Sequence, residues 1–331
     1  MTVLIITHSN DNESITMVSQ AIEKQGGKAV RFNTDRFPGE DRLVLGLGSG
    51  VEQCLITDNG TLALDEVTAI WYRRVRIGQS LPQDLDPQLL RPAIEEARRT
   101  FMGMMSTLDV FVMDPIPNIR YAENKQLQLQ VAKQVGLEIP DTLLTNHSEA
   151  VRRFAEANDG KIITKMQTSF AVYQGKSEYV VFTNKMDEDA LNDMEGLDLC
   201  PMIFQANIEK ALELRATIVG DQIFCASIDS SVSEQAEHDW RRDGMGFIKD
   251  WQPYELAKDL KTKLLQLMDR LHLNYGAADI ILTPDGRYVF LEVNPVGEFY
   301  WLDLYTKLPI SEGIAQVLMG QAYRRPNNIC G

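Results

Sequence analysis

An α/β fold built from α+β subdomains follows from three features of the chain. The first is its opening. Residues 2–7 (TVLIIT) read as a buried strand, residues 12–25 carry helical spacing through Ile15, Val18 and Ile22, and KAVRFN reads as a second strand after Gly26-Gly27. That is a βαβ unit, which places helices on the faces of a parallel sheet. The second is residues 42–71, where short runs (LVLGLG, CLITD, TLAL) alternate with Gly and Asn-Gly turns, the pattern of antiparallel ribbons. The third is the C-terminal part, where a hairpin and two further strands are interleaved with amphipathic helices.

The remaining elements follow in order. TAIWYRRVR reads as a strand and 87–107 as a helix. Asp-Pro-Ile-Pro-Asn at 114–118 marks a boundary. A helix over Ala122–Val135 is stopped by Gly136, with Pro140 soon after. Helix 147–158 leads into strand KIITKM, and 167–183 reads as a loop followed by the strand YVVFT. Helix 187–195, strand MIFQ and a hairpin (ELRATIVG, DQIFCASI) turning at Gly220-Asp221 come next. Helix 253–271 precedes strands AADIILT and YVFLEVN, joined by Pro-Asp-Gly; a last helix covers 310–322, and the tail RRPNNICG reads as disordered. A chain of 331 residues suits two or three subdomains. The expected division is 1–114, 115–203 and 204–325, with a tail at 326–331.

Apolar content of 44% and charged content of 24% describe a globular chain. The net charge of −14 disfavours a polyanion, so nucleic acid is not an expected partner. Basic residues that run against this charge are therefore the ones to examine. Cys54, Cys200, Cys225 and Cys330 are widely spaced with no CxxC pair, which indicates neither zinc site nor disulfide framework and fits the cytoplasm. Val3–Ile6 is too short for a signal peptide and no run reaches a membrane span.

The most informative stretch is Asp279 followed by Glu292-Val293-Asn294-Pro295 on two adjacent strands. Asp279 is placed near one strand's start. Glu292 and Asn294 stand two apart near the other's end and so share a face. Three hard oxygen donors suit Mg²⁺, with nucleotide phosphates completing its shell. A solvated strand edge is the plain alternative, but Glu292 follows Val289-Phe290-Leu291, where an unpaired charge is costly. Lys165, inside Ile162-Ile163-Thr164-Lys165-Met166, needs an anion, and a phosphate supplies one. Lys125 opens a helix, where an ordinary solvated lysine explains it equally well. Residues 167–178 would cover the phosphates as a lid, although one glycine makes this a weak signal. The strand end Gln205-Ala206-Asn207-Ile208 would offer backbone groups to adenine, or be a connecting turn.

Arg215, within Glu213–Thr217, and Arg241, after Asp239-Trp240, would neutralise a transferring phosphoryl group; surface salt bridges explain both as well. In Trp71-Tyr72-Arg73-Arg74-Val75-Arg76, continuation of the strand puts Arg74 and Arg76 on one face and Arg73 on the other. Three arginines there suggest an anionic ligand such as an acidic peptide side chain, set against pairing with the protein's own acids. No Walker A, HExxH or GxSxG motif is present, and the four histidines are scattered.

The order Lys125, Lys165, Gln205–Ile208, Arg215, Asp279, Glu292, Asn294 resembles the ATP-grasp superfamily. More narrowly, Thr7-His8-Ser9, Trp71–Arg74, Asn124–Gln128, Asp239-Trp240-Arg241 and Asn294–Leu302 (NPVGEFYWL) resemble the microviridin-type ligases that mature graspetides. The overall likeness is greater to the ester-forming member of that pathway than to the amide-forming one. The resemblance implies an ATP-grasp fold with N-terminal βαβ, central lid and C-terminal domains. It implies ATP and Mg²⁺ as cofactors and a ribosomal precursor peptide as partner. An Asp or Glu side chain of that peptide would become an acyl phosphate, and a Thr or Ser hydroxyl would displace phosphate to close an ω-ester. Lys125 and Lys165 would hold phosphates, Asp279, Glu292 and Asn294 the metal, and Arg215 and Arg241 the acyl phosphate. A leader segment would bind the 183–200 insert through acids such as Asp189 and Asp193, which a solvated helix face explains as well. A homodimer is implied by the resemblance alone. Two readings stay open beside this one: an amide-forming or other carboxylate–amine ligase, and a nucleotide-binding regulatory module without turnover.

Overall fold

A computed structural model of the chain describes residues 1–48, 50–82, 84–167, 171–174, 177–180, 183–229 and 248–327, with 171–174 and 177–180 described by backbone alone. The apolar run at the start forms β1 (Thr2–Thr7), buried along its whole length. α1 (Ser14–Lys24) turns Ile15, Val18 and Ile22 inward, and β2 (Lys28–Asn33) returns parallel to β1. The ribbons expected between 42 and 71 are β3 (Arg42–Leu45), β4 (Gln53–Thr57) and β5 (Gly60–Ala63), a three-stranded antiparallel sheet. β6 (Val67–Tyr72) leaves that ribbon and pairs parallel with β1. It ends at Tyr72, so Arg73–Arg76 lie beyond the strand. α2 (Pro87–Thr107) begins at an Asp86 carboxylate that accepts from the Gln88 N–H, and β7 (Phe111–Met113) completes a sheet of order β2-β1-β6-β7.

The helix expected over Ala122–Val135 is α4 (Lys125–Gln134), and a helix that was not expected, α3 (Ile116–Ala122), precedes it in the segment read as a boundary. Asn124 breaks them: its side chain accepts from the Leu127 N–H and caps α4. A central sheet of order β12-β9-β13-β8 follows, from β8 (Thr142–Thr145), β9 (Ile162–Lys165), β12 (Asn184–Met186) and β13 (Met202–Ala206). α5 (Ser148–Ala157) packs Val151 and Ala155 on Ile162 and Phe204. Where a loop was expected after residue 167, β10 (Ala171–Gln174) and β11 (Ser177–Val180) form an antiparallel hairpin. The acidic helix shortens to α6 (Glu188–Asn192), because Asp187 caps it and Gly196, at φ +80°, turns the chain away.

The C-terminal sheet has the order β16-β15-β14-β17-β18. β14 (Leu212–Val219) and β15 (Gln222–Ile228) turn at Gly220, where a side chain would strike the Tyr323 carbonyl. β16 is Gln252–Pro253 and α7 runs Lys258–Leu271, starting later than expected because the chain first extends as β16. α7 lays Leu260, Leu264, Leu267 and Met268 on Leu214, Ala278, Ile280 and Val293 of β14, β17 (Tyr275–Leu282) and β18 (Tyr288–Asn294). A second core joins the N-terminal sheet to this one through α1 and α8 (Ile310–Leu318). The tail does not start disordered: Arg325 is buried, donating to Asp269 and the Gly220 carbonyl, and Arg324 lies 4.1 Å over the Phe111 ring. Residues 328–331 lie outside the described residues. Among the described residues, no helix is long and apolar enough to cross a membrane.

Candidate active site

Strand register builds the site. Arg215 on β14 stands opposite Asp279 on β17, and Asp279 stands opposite Glu292 on β18. Directly opposed residues share a face, so one row carries a guanidinium and two carboxylates. A bulge just past Asp279 leaves Leu291 without an opposing residue, and on the other side Ala277 faces Asn294. Asp279 is therefore mid-strand, not near the start, because β17 begins at Tyr275. Arg215 Nη1 lies 2.6 Å from Asp279 Oδ1, and its Nη2 donates to the Glu298 carbonyl at 3.3 Å. Burial works against its charge, but Asp279 more than offsets that and raises the Arg215 pKa.

Lys125 reaches the same row, with Nζ 2.6 Å from Glu292 Oε2. Gln128, one helical turn on and 1% exposed, explains how. Its amide donates to the Val293 carbonyl at 2.8 Å and accepts from the Val293 N–H at 3.0 Å, fixing α4 against β18. The sequence reading quoted Gln128 without giving it a role; a glutamine on the buried side of an amphipathic helix was the available signal. Two valences stay open in the row. Among the described residues, Arg215 Nε is buried without an acceptor and Asp279 Oδ2 receives no donor. A carboxylate oxygen without a donor, beside a fixed guanidinium, suits a bound cation that brings its own anion. Asp279 and Glu292 are 28% and 21% exposed, so their oxygens are reachable. The Asn294 amide oxygen caps the following turn by accepting from Val296 N–H at 3.0 Å and keeps a second lone pair. Two carboxylates and an amide oxygen on one face fit a hard divalent cation whose remaining ligands come from phosphate. No cluster of three or more His, Cys, Asp or Glu suited to a metal exists among the described residues.

Lys165 and Gln205–Ile208 belong to the central sheet. Lys165 opposes Ile203, on the sheet face that also carries Gln205 and is turned from the α5 core. Gln205 is buried, donating to the Thr142 hydroxyl at 2.9 Å. The adenine-pairing expectation narrows here: Ala206 N–H is bound to the Asp141 carbonyl and Asn207 N–H to the Lys161 carbonyl. Those two donors are spent within the chain.

The arginines divide. Arg73 is 2% exposed, donates to the carbonyls of Val296 (3.1 Å) and Gly297 (3.3 Å) and to Glu298 (2.9 Å), and lies against the Trp71 and Phe299 rings. Its Nη groups are thus taken up within the chain. Arg74 pairs with Asp11 and Glu298, so it too serves the protein's own acids. Arg76 is exposed. Glu298, which sequence reasoning gave no role, is the hub: Arg73 and Arg74 hold one oxygen and Asn12 the other. Asp189 and Asp193 are exposed on and just after α6. Arg241 and much of the 167–178 segment lie outside the described residues.

A family model described as the MvdD pre-ATP grasp domain matches residues 2–120. The macrocyclase MdnC of Microcystis aeruginosa MRC, solved with its precursor peptide MdnA, is 49% identical over 97% of this chain and 100% of that one, with a TM-score of 0.87. A RiPP-associated ATP-grasp ligase of Chryseobacterium gregarium, solved with ADP and a leader and core peptide, is 39% identical over 100% of this chain and 99% of that one, with a TM-score of 0.94. The macrocyclase MdnB of Microcystis aeruginosa MRC is 36% identical over 95% and 98%, with a TM-score of 0.79. No curated protein sequence matches the chain.

Proposed function

This chain belongs to the ATP-grasp ligases of graspetide biosynthesis and has their α/β ATP-grasp fold, and from that premise we propose that it is an ATP-dependent macrocyclase that closes ω-ester rings in a ribosomal precursor peptide. The observation that carries the reading is the row of Arg215, Asp279, Glu292 and Lys125, with one carboxylate oxygen left over among the described residues.

In this reading a peptide Asp or Glu carboxylate takes the γ-phosphoryl group of ATP, and a Thr or Ser hydroxyl of the same peptide then displaces phosphate. Mg²⁺, held by Asp279, Glu292 and Asn294, would supply neutralisation of phosphate charge. Arg215, held in place by Asp279, sets a fixed positive charge beside the transferring group. Lys125 exchanges Glu292 for a phosphate oxygen, a change from one anion to another. Lys165 serves the phosphates from the central sheet, and Arg241 the acyl phosphate. The Gln205–Ile208 edge meets adenine through groups other than the Ala206 and Asn207 N–H. Ring closure then depends on holding hydroxyl and acyl phosphate together more than on a strong base.

Ester over amide rests on the overall likeness to the ester-forming member. Arg76 contacting peptide, Asp189 and Asp193 contacting a leader, and division of the chain near 114 and 203 belong to the same proposal, as does a cytoplasmic homodimer. Intact mass of a leader-bearing precursor rich in Thr, Ser, Asp and Glu, after incubation with ATP and Mg²⁺, tests it. One water lost per ring and regained in mild base is expected. Loss that survives base means amide formation; no loss overturns cyclisation.

A further inference from the structure

Away from the catalytic row, one cleft gathers positive charge in a chain that carries −14 overall. It has a volume of 390 Å³ and lies between α2, α3 and the segment after β6. Three arginines reach it from three separate elements: Arg76 from the post-strand segment, Arg98 from α2 and Arg120 from α3. Tyr72, Val75 and Met102, each half-buried, supply apolar wall between them. Among the described residues, Arg76 and Arg120 have no acidic partner, and Arg98 has only Glu95 at 4.0 Å. This contrasts with Arg73 and Arg74 close by in sequence, whose charges are matched internally. Like charges gathered in a cleft repel one another and raise the local concentration of anions. α3 also leads toward the catalytic row, since Lys125 follows Arg120 by five residues.

We propose that this cleft binds a carboxylate-bearing segment of the peptide substrate beside the residue being activated. The proposal rests on the reading of the row as a peptide carboxylate ligase. Acidic side chains fit both parts of the wall: each carboxylate accepts a guanidinium fork, and its methylene stem covers the half-buried Tyr72, Val75 and Met102. Inorganic phosphate would use the forks and leave the apolar wall wet.

The test uses the full chain and two fluorescein-labelled peptides, one of alternating Glu and Thr, the other of alternating Gln and Thr. Fluorescence anisotropy reads their binding. The Glu peptide is expected to bind about tenfold tighter than the Gln peptide, with the advantage shrinking as salt rises. The double variant Arg98→Gln, Arg120→Gln should lose that advantage, and hydrogen exchange of residues 116–122 should slow when the Glu peptide binds. Equal binding of the two peptides to the unaltered protein overturns the proposal even if the double variant fails to fold. An unchanged advantage in a folded variant also overturns it, as does displacement of the peptide by inorganic phosphate at matched ionic strength. Calorimetry of ADP binding with Mg²⁺ is run separately. Its failure would count against the ligase reading, whereas the peptide comparison reports on the cleft.

Discussion

Two clusters of arginine and carboxylate look alike in composition and differ in what they leave over. In the row on the C-terminal sheet, each carboxylate meets a cation from another element, and Asp279 keeps an oxygen without a donor among the described residues. At the junction around Glu298, Arg73, Arg74 and Asn12 occupy both carboxylate oxygens, and Arg73 Nη1 donates to backbone carbonyls more than two hundred residues away. Both arginines leave a buried Nε unpaired. The acceptor side separates them: a saturated carboxylate fastens two parts of a chain, and an unsaturated one can take a ligand. The charge count alone would not have told them apart.

The largest expected effect comes from breaking the row. Asp279→Asn removes half of the Arg215 pair and one donor to the cation, and should lower kcat for ADP release with peptide by about a hundred- to a thousandfold. Its melting temperature should fall less than that of Arg73→Ala, because Asp279 is 28% exposed and the replacing amide oxygen can still accept from Arg215. Arg73→Ala should do the reverse. It strips Glu298 and two carbonyls of a buried donor, at a cost of about 3 kcal/mol in urea unfolding. If Arg73→Ala instead left stability untouched and abolished turnover, the division between the clusters would be wrong.

The row was legible in the sequence because strand alternation and the cost of a buried charge both act locally. Those arguments placed Glu292 and Asn294 on one face and marked Glu292 as needing a partner. They could not supply Lys125 as that partner, since the contact spans 167 residues and depends on Gln128 gripping Val293. The arginine run was legible in part. Alternation past Tyr72 separates Arg73 from Arg74 and Arg76, and Arg73 is the buried one, but its partner Glu298 lies 225 residues away. The N–H groups of Ala206 and Asn207 looked free because their partners, Asp141 and Lys161, sit on distant loops. At the C-terminus, a polar tail composition concealed Arg324 and Arg325, which are held by a ring, carbonyls and Asp269.

Asp114 extends the junction to a third carboxylate. It is buried and accepts from Asn274 N–H (2.8 Å), Tyr275 N–H (2.9 Å) and the Asn274 amide (3.2 Å). Burial pushes its pKa up to about 7, against the pull of those N–H groups and of Arg325. A carboxyl raised on folding adds stability that is complete below its unfolded value, near 4, and is lost as pH rises toward 7. Unfolding free energy should therefore fall across that window, by at most about 1.4 kcal/mol per pH unit, relative to Asp114→Asn. Parallel pH profiles of the two proteins would mean that the hydrogen bonds outweigh burial.

The smallest effect is the sharpest check on the comparison. Arg74 shares Glu298 with Arg73 but is 37% exposed, so water can replace much of what it provides. Asp11 would keep donors after its loss, from the Thr7 hydroxyl and the Asn12 N–H. Arg74→Ala should thus cost about 1 kcal/mol or less, several times below Arg73→Ala, although the two arginines are adjacent and touch the same carboxylate oxygen. A double-mutant cycle with Glu298→Gln in urea should give Arg73 the larger coupling energy. Equal couplings would mean that the carboxylate contact sets the strength of the junction, and that the carbonyls and rings around Arg73 add nothing to it.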